Sequence, residues 1–299
     1  MKTTQIRYNK KEKLNDPILL VGLPGIGNVG SLVGEHRRRE FHAKKFAVLY
    51  STYFPHQVIM TKNGGMRMVS NRFYHFQNKN GKSIILLLGD SQAGTPRGQY
   101  VVNERIVKFY KKLKGKTIYT IGGYSAGNQY IRNPRVFGSA ASRRIKEYLE
   151  KAGILFGQTQ GSIWGSAGII PALSKSFGIE GACIMGETGM LDIDANAARS
   201  VLEVLKKVLN VDINLDNIDR ISDILLCLEP VLGASFIVFI LPLFGSEDLS
   251  SRVYDTTYLF GFIFLATISC RAPLSLGSFT PGISPVSTIE FMSSLYVWK

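Results

Sequence analysis

Two uninterrupted apolar runs constrain this chain more than anything else in it: Pro17 to Gly22 (PILLVG) and Ser83 to Gly89 (SIILLLG). A strand that is apolar at every position, rather than at alternate ones, is buried on both faces, the condition of a parallel sheet covered by helices. The neighbouring segments agree. Asn28 to Phe41 reads as a helix and Phe46 to Ser51 as a strand, which with the first run makes a strand–helix–strand unit. Val101 to Leu113 has helical periodicity and leads through Gly115 into a strand over Thr117 to Gly122. A helix is predicted from about Ser139 to Lys151, stopped at Gly153, and a short strand within Ile179 to Gly186. Asp194 stands at the N-cap of a last helix, Ala195 to Leu209, whose Val201, Leu202, Leu205, Val208 and Leu209 form an apolar stripe. Val58–Met60 and Met66–Val69 flank Lys62-Asn63-Gly64-Gly65, a hairpin turn signal. The expected fold is a three-layer α/β/α sandwich with a mostly parallel sheet, ending near residue 220.

Charge marks the same boundary. The whole chain stands at +14. Residues up to Arg220 hold 33 Lys and Arg against 16 Asp and Glu, whereas Ile221 onward holds 3 and 6. The basic residues are scattered, with short clusters at Lys10-Lys11-Glu12-Lys13, Arg37-Arg38-Arg39 and Lys111-Lys112-Leu113-Lys114, and none is interleaved with aromatic stacking residues. That pattern describes a solvated surface rather than a nucleic-acid track. Cys183, Cys227 and Cys270 are too few and too far apart for a disulfide framework or a metal site. Met1 is followed by polar, basic residues without an apolar signal core, which points to the cytoplasm.

Several motifs suggest enzymes, and each lacks a chemical partner. Gly25-Ile26-Gly27-Asn28-Val29-Gly30 is a G-x-G-x-x-G between a strand and a helix, the pattern that brings a pyrophosphate to a helix N-terminus. A dinucleotide site also needs a carboxylate at the end of the second strand. Here that strand runs out in Leu49-Tyr50-Ser51-Thr52-Tyr53, and no Gly-Lys-Ser/Thr follows for a P-loop. Gly25, Gly27 and Gly30 read as glycines permitting a tight strand-to-helix turn. The competing reading is a nucleotide- or nucleoside-binding enzyme built on them. Gly123-Tyr124-Ser125-Ala126-Gly127 matches a nucleophile elbow, but His36, His42, His56 and His75 all precede Ser125, whereas the hydrolase base follows its serine. A glycine-rich turn at a strand end is the simpler account. Glu187, Asp192 and Asp194 form the one acidic cluster, and helix capping by Asp192 or Asp194 explains it without a metal. No catalytic residue, metal or cofactor is expected.

Taken in order, these elements resemble the proteasome assembly chaperone family in its archaeal form. The resemblance rests on Pro24-Gly25-Ile26-Gly27-Asn28-Val29-Gly30, then Tyr50-Ser51 with Phe54-Pro55-His56-Gln57-Val58. Gly89-Asp90-Ser91-Gln92 and Gly122-Gly123-Tyr124-Ser125-Ala126-Gly127 follow. Gly178-Ile179-Glu180-Gly181, Met185-Gly186-Glu187-Thr188-Gly189 and the Ala197-Ala198 pair of the closing helix complete it, over roughly residues 17–219. The resemblance implies a phosphorylase/hydrolase-like α/β/α fold without those enzymes' catalytic residues, self-association, and docking onto proteasome α-subunits. It also implies docking of a C-terminal hydrophobic–tyrosine–any residue tail between α-subunits. The final Val297-Trp298-Lys299 matches that pattern, with Trp in place of Tyr.

Residues 221–299 do not continue the family pattern. They hold 12 serines and 8 of the 17 phenylalanines, and Pro230, Pro242, Pro273, Pro281 and Pro285 interrupt any long helix. Val231 to Ser246 and Thr256 to Cys270 are uncharged but shorter than the ~20 residues a membrane helix needs. Three readings stay open: a reading-frame change near codon 220, a membrane hairpin within residues 231–270, and a small apolar subdomain. A frame change would leave Val297-Trp298-Lys299 without meaning.

Overall fold

In the computed structural model the two apolar runs lie side by side as parallel strands, β2 (Ile18–Gly22) and β7 (Ser83–Gly89), in register from Ile18↔Ile84 to Gly22↔Leu88. The structure describes residues 3–8, 12–127, 131–158, 161–189, 193–216 and 218. Around this pair an eight-stranded sheet has the order β1-β3-β6-β7-β2-β8-β10-β9. Its other strands are β1 (Thr4–Tyr8), β3 (Lys44–Ser51), β6 (Asn71–Gln77), β8 (Thr117–Ser125), β9 (Val136–Ala140) and β10 (Glu180–Thr188). β7, β2, β8 and β10 are mutually parallel, and β6 and β9 flank them antiparallel. β3 runs with the parallel group but is separated from β2 by β6 and β7. The predicted strand–helix–strand unit is therefore correct in direction, and its two strands are not neighbours.

Period-2 geometry explains why β2 and β7 are apolar throughout. Leu20, Ile84, Leu86 and Leu88 face one core, packed against α1 (Val29–Glu40), α3 (Arg143–Lys151) and α5 (Ala195–Leu209). Leu19, Val21, Ile85 and Leu87 face the other, packed against α2 (Pro96–Lys112) and α4 (Ser166–Ser176). Burying a side chain of this size fully is worth about 1.5–3 kcal/mol, so helices are needed on both faces.

Several expectations need correction. The helix predicted from Ser139 begins at Arg143, because Ser142 is its N-cap and accepts from Ile145 N at 3.4 Å. The preceding Val136–Ala140 pairs with β10 as an edge strand. The helix predicted from Val101 begins at Pro96, with the Thr95 hydroxyl accepting from Gly98 N at 3.1 Å. β1 is a polar edge strand and β6 mixes polar residues with aromatic ones (NRFYHFQ), so neither shows the continuous run that marks a central strand.

α4 carries Pro171 in its interior, where proline ordinarily breaks a helix by leaving the i−4 carbonyl unbonded. Here that carbonyl belongs to Ala167, and the buried Thr120 hydroxyl of β8 donates to it at 2.6 Å. We expect Thr120→Val to cost about 1–3 kcal/mol in a urea denaturation, because the carbonyl loses its donor. The Thr120→Val, Pro171→Ala double variant should recover part of the loss by restoring a backbone N–H, and simple additivity would contradict the pairing.

Cys183 is fully buried in β10, where burial pushes its thiol up to about 12, so it behaves as a small hydrophobe. Among the described residues no helix is long and apolar enough to cross a membrane, and no three His, Cys, Asp or Glu residues group as a metal site. Cys227, Cys270, the stretches within 231–270 and Val297-Trp298-Lys299 lie outside the described residues, as does the boundary at residue 220.

Candidate functional site at the carboxyl edge of the sheet

In open α/β sheets ligands bind outside the carboxyl ends of the parallel strands, and both glycine motifs lie at that edge. β2 ends in the glycine turn. Gly25 is extended, Gly27 is left-handed with φ 61°, and Asn28 is left-handed at the N-cap of α1. Gly27 and Gly30 are packed against the chain itself, while Gly25 and Ile26 are exposed. A Cβ on Gly27 would lie 2.8 Å from the Thr188 hydroxyl and 3.3 Å from the Asp194 Cβ, and Asp194 N donates to the Gly27 carbonyl at 2.9 Å. A Cβ on Gly30 would lie 2.7 Å from the Leu23 carbonyl oxygen and 2.9 Å from that of Ile121. Gly27 and Gly30 thus seat α1 against β2, β8 and the β10–α5 connection, whereas Gly25 is exposed and its Cβ position meets only Gln92 Nε2 at 3.9 Å.

The second glycine motif is extended. Gly122 to Ser125 complete β8, in register with Met185 to Thr188 of β10, and β9 is the next described element. Gly123 to Ser125 of the expected turn are therefore strand, the chain leaves the strand only at Ala126 and Gly127 (φ 94°), and Ser125 does not sit at a strand-to-helix elbow. Gly123 lacks a side chain for a packing reason: a Cβ there would meet the Ile26 carbonyl at 2.5 Å.

The acidic cluster separates. Asp194 caps α5, accepting from Ala197 N at 2.9 Å, while Asp192 lies outside the described residues. Glu187 is buried and held by Arg135, whose Nε donates to Oε2 at 2.9 Å and whose backbone N donates at 3.0 Å. The side-chain hydrogen bonds from Arg135 outweigh burial and hold the Glu187 carboxyl below its usual value. Gly186 and Ala197 account for another motif pair. A Cβ on Gly186 would lie 2.7 Å from the Ala197 carbonyl, so the closing helix rests directly on β10.

The loop after β7 joins these parts. Asp90 accepts a bidentate pair from Arg67 at 2.5 and 2.9 Å, a bond from Arg72 at 2.6 Å and one from Ser70 N at 3.0 Å. Gln92 Nε2 donates to the Pro24 carbonyl at 2.7 Å, and its Oε1 accepts from Ser166 N at 2.8 Å. Gln99, Asn103 and Ser166 continue this network inward, the Ser166 hydroxyl donating to Asn103 Oδ1 at 2.8 Å. One loop thereby fixes the hairpin β4–β5 (Val58–Met60 and Met66–Met68), the glycine turn and the start of α4.

Among its polar residues the edge also presents large apolar side chains to solvent. Met60 and Met66 are 83 % and 76 % exposed and Trp164 is 85 % exposed; Ile26, Val58, Met68 and Tyr100 are also exposed. These seven make up most of the large hydrophobic side chains exposed among the described residues, and all lie on segments leaving or entering this edge. Sequence reasoning found the hairpin but not its exposure. Alternation puts Val58, Met60, Met66 and Met68 on one face, opposite Ile59 and Arg67, but an apolar face so found is ordinarily taken as the buried one.

The carboxyl edge of this mixed α/β sheet thus combines closely packed glycines at positions 27, 30 and 123 with a set of exposed apolar side chains. Comparison with known proteins gives the family: the PAC2 profile matches residues 19–223, and the chain belongs to the PAC2 family of proteasome assembly chaperones. MJ1210, an uncharacterized protein of Methanocaldococcus jannaschii, is 37% identical over 209 residues, covering 70% of this chain and 80% of that protein. Among solved structures, PbaB of Pyrococcus furiosus, an archaeal proteasome activator, is 31% identical with a TM-score of 0.70, covering 75% of this chain and 96% of PbaB. PbaA of the same organism, an archaeal homolog of proteasome-assembly chaperone, shares the fold at 22% identity and a TM-score of 0.62, covering 74% of this chain and 94% of PbaA.

Proposed function

We propose that this protein is a non-enzymatic, cytoplasmic and homo-oligomeric chaperone or adaptor that binds proteasome α-subunits, either during core-particle assembly or on the finished α-ring. One observation carries the reading beyond family membership. At the edge where enzymes of this architecture hold a ligand, the space beside Gly27 and Gly30 is filled by Thr188, Asp194, Leu23 and the end of β8, while Met60, Met66 and Trp164 stand in solvent on segments at the same edge. Solvent-exposed apolar groups gathered at one edge are the mark of a protein contact. PbaB, the 31% identical relative, is an archaeal proteasome activator, which supports the proteasome as the partner.

The test is co-purification. The tagged full-length chain is expected to recover purified archaeal α-subunits at near-stoichiometric amounts. Recovery no greater than with the tag alone would sink the proposal.

A further inference from the structure

The β4–β5 hairpin is built inside out. In a ribbon laid against a domain, the apolar face ordinarily packs inward and charged side chains point to water. Here Val58 pairs with Met68 and Met60 with Met66, all four exposed on one face. The opposite face carries Ile59, which packs on the core beneath, and Arg67, which reaches in to Asp90. The Arg67–Asp90 pair is what holds the apolar face outward.

The topology places this hairpin with two other exposed apolar groups. It connects the carboxyl end of β3 to the start of β6, at the same sheet edge as Ile26 after β2. Trp164 immediately precedes Gly165 and Ser166, which the Gln92 side chain holds at that edge. Methionine is unbranched and polarisable and adapts to irregular apolar surfaces, and tryptophan is the commonest hot-spot anchor. Both are unusual choices for side chains meant only for water.

Charge selects the kind of partner. Residues 55–70 include His56, Lys62 and Arg67 and no Asp or Glu. Arg67 and Arg72 share the single carboxylate of Asp90, which leaves the hairpin base net positive. Two copies of this face would bring like charges together in a domain that already carries a large positive excess. A groove with apolar walls and Asp or Glu on its rim would pair both properties.

We infer that the Met60/Met66 face of the hairpin, together with Trp164, is the surface that docks a protein partner, seating in an apolar groove rimmed by carboxylates. This rests on the α-subunit reading above and names the part of the chain that makes the contact.

The experiment measures binding of purified archaeal α-subunits to the immobilised full-length chain by biolayer interferometry. The mass of each variant is determined by light scattering and its fold by thermal melting. The Met60→Asp, Met66→Asp pair should weaken binding on the order of 30-fold or more, and Trp164→Ala about tenfold or more. The Met60→Leu, Met66→Leu pair should bind like wild type, and Lys62→Glu should weaken binding several-fold. Because both methionines are largely exposed, the aspartate pair should melt like wild type. Wild type that fails to bind α-subunits overturns the functional reading, and this inference with it. Wild type that binds, with an aspartate pair that binds equally well, overturns this inference alone. An aspartate pair of altered oligomeric mass would assign the face to self-association. An aspartate pair that keeps α-subunit binding but loses flotation with phosphatidylserine vesicles would assign it to a membrane surface. Lys62→Glu binding more tightly would refute the acidic rim.

Discussion

Gly22→Ala is expected to cost about 3 kcal/mol or more in a denaturant titration, enough to unfold much of a marginally stable population. Gly22 ends β2, and a Cβ there would land on the carbonyl oxygen of Gly30, with the Gly34 Cα at 3.3 Å beyond. Both obstacles are backbone, so no rotamer change relieves the overlap and α1 would have to move off the sheet. Moving α1 would also disturb the Gly30 contacts with Leu23 and Ile121, and the seat of Gly34 against Leu88. Gly64→Ala is the matched control. Nothing lies within 4 Å of its Cβ position, and with φ 78° it should cost only about 1 kcal/mol of backbone strain. Equal losses at the two positions would show that conformational freedom, not close packing, explains the glycine at 22.

The second large effect is expected at Asp90. Asp90→Ala removes the acceptor of the Arg67 pair, the Arg72 bond and the Ser70 N–H together, and should cost about 2–4 kcal/mol. The upper part of that range would apply to a fully buried pair, and Arg67 is partly open to water. Limited proteolysis at Lys62 should accelerate as well, because the hairpin loses its anchor. Burial raises the Asp90 carboxyl, but the Arg67 hydrogen bonds, the Arg72 charge and the Ser70 N–H outweigh it and hold the group below the ordinary 3.8. A depressed carboxyl contributes stability that is fully present above the ordinary value and is lost as the pH falls through the folded one. The stability gap between wild type and Asp90→Ala should therefore be constant near neutral pH and narrow below pH 3.8. A gap that does not change on acidification would mean that the carboxylate charge is not what holds the hairpin.

Close packing explains why the enzyme-like motifs were legible in sequence while their role was not. A glycine at positions 22, 27, 30, 123 or 186 is compatible with a ligand or with another backbone at the same distance. Local sequence does not distinguish the two, because the occupant comes from elsewhere in the chain. At Gly27 it is Thr188 and Asp194, more than 160 residues away, and at Gly123 it is the Ile26 carbonyl. The interrupted helix α4 was illegible for the same reason. Pro171 argues against a helix unless a distant hydroxyl takes the freed carbonyl, and Thr120 does so from β8.

By itself the sequence determined the central parallel strands, because unbroken apolar runs such as PILLVG and SIILLLG have no stable place except between two helical layers. It also determined α5 nearly to the residue, through the Asp194 cap and the 3.6-residue apolar spacing, since caps and periodicity are local properties, and placed α1 within one residue at each end. Only the tertiary structure decided that Gly27, Gly30 and Gly123 are closed in by the chain's own atoms, and which way the hairpin faces. Alternation would have turned Met60 and Met66 inward and Arg67 outward. The part-buried carboxylate of Asp90, 23 residues along, reverses that, because a charge held partly away from water takes the guanidinium that can pair with it.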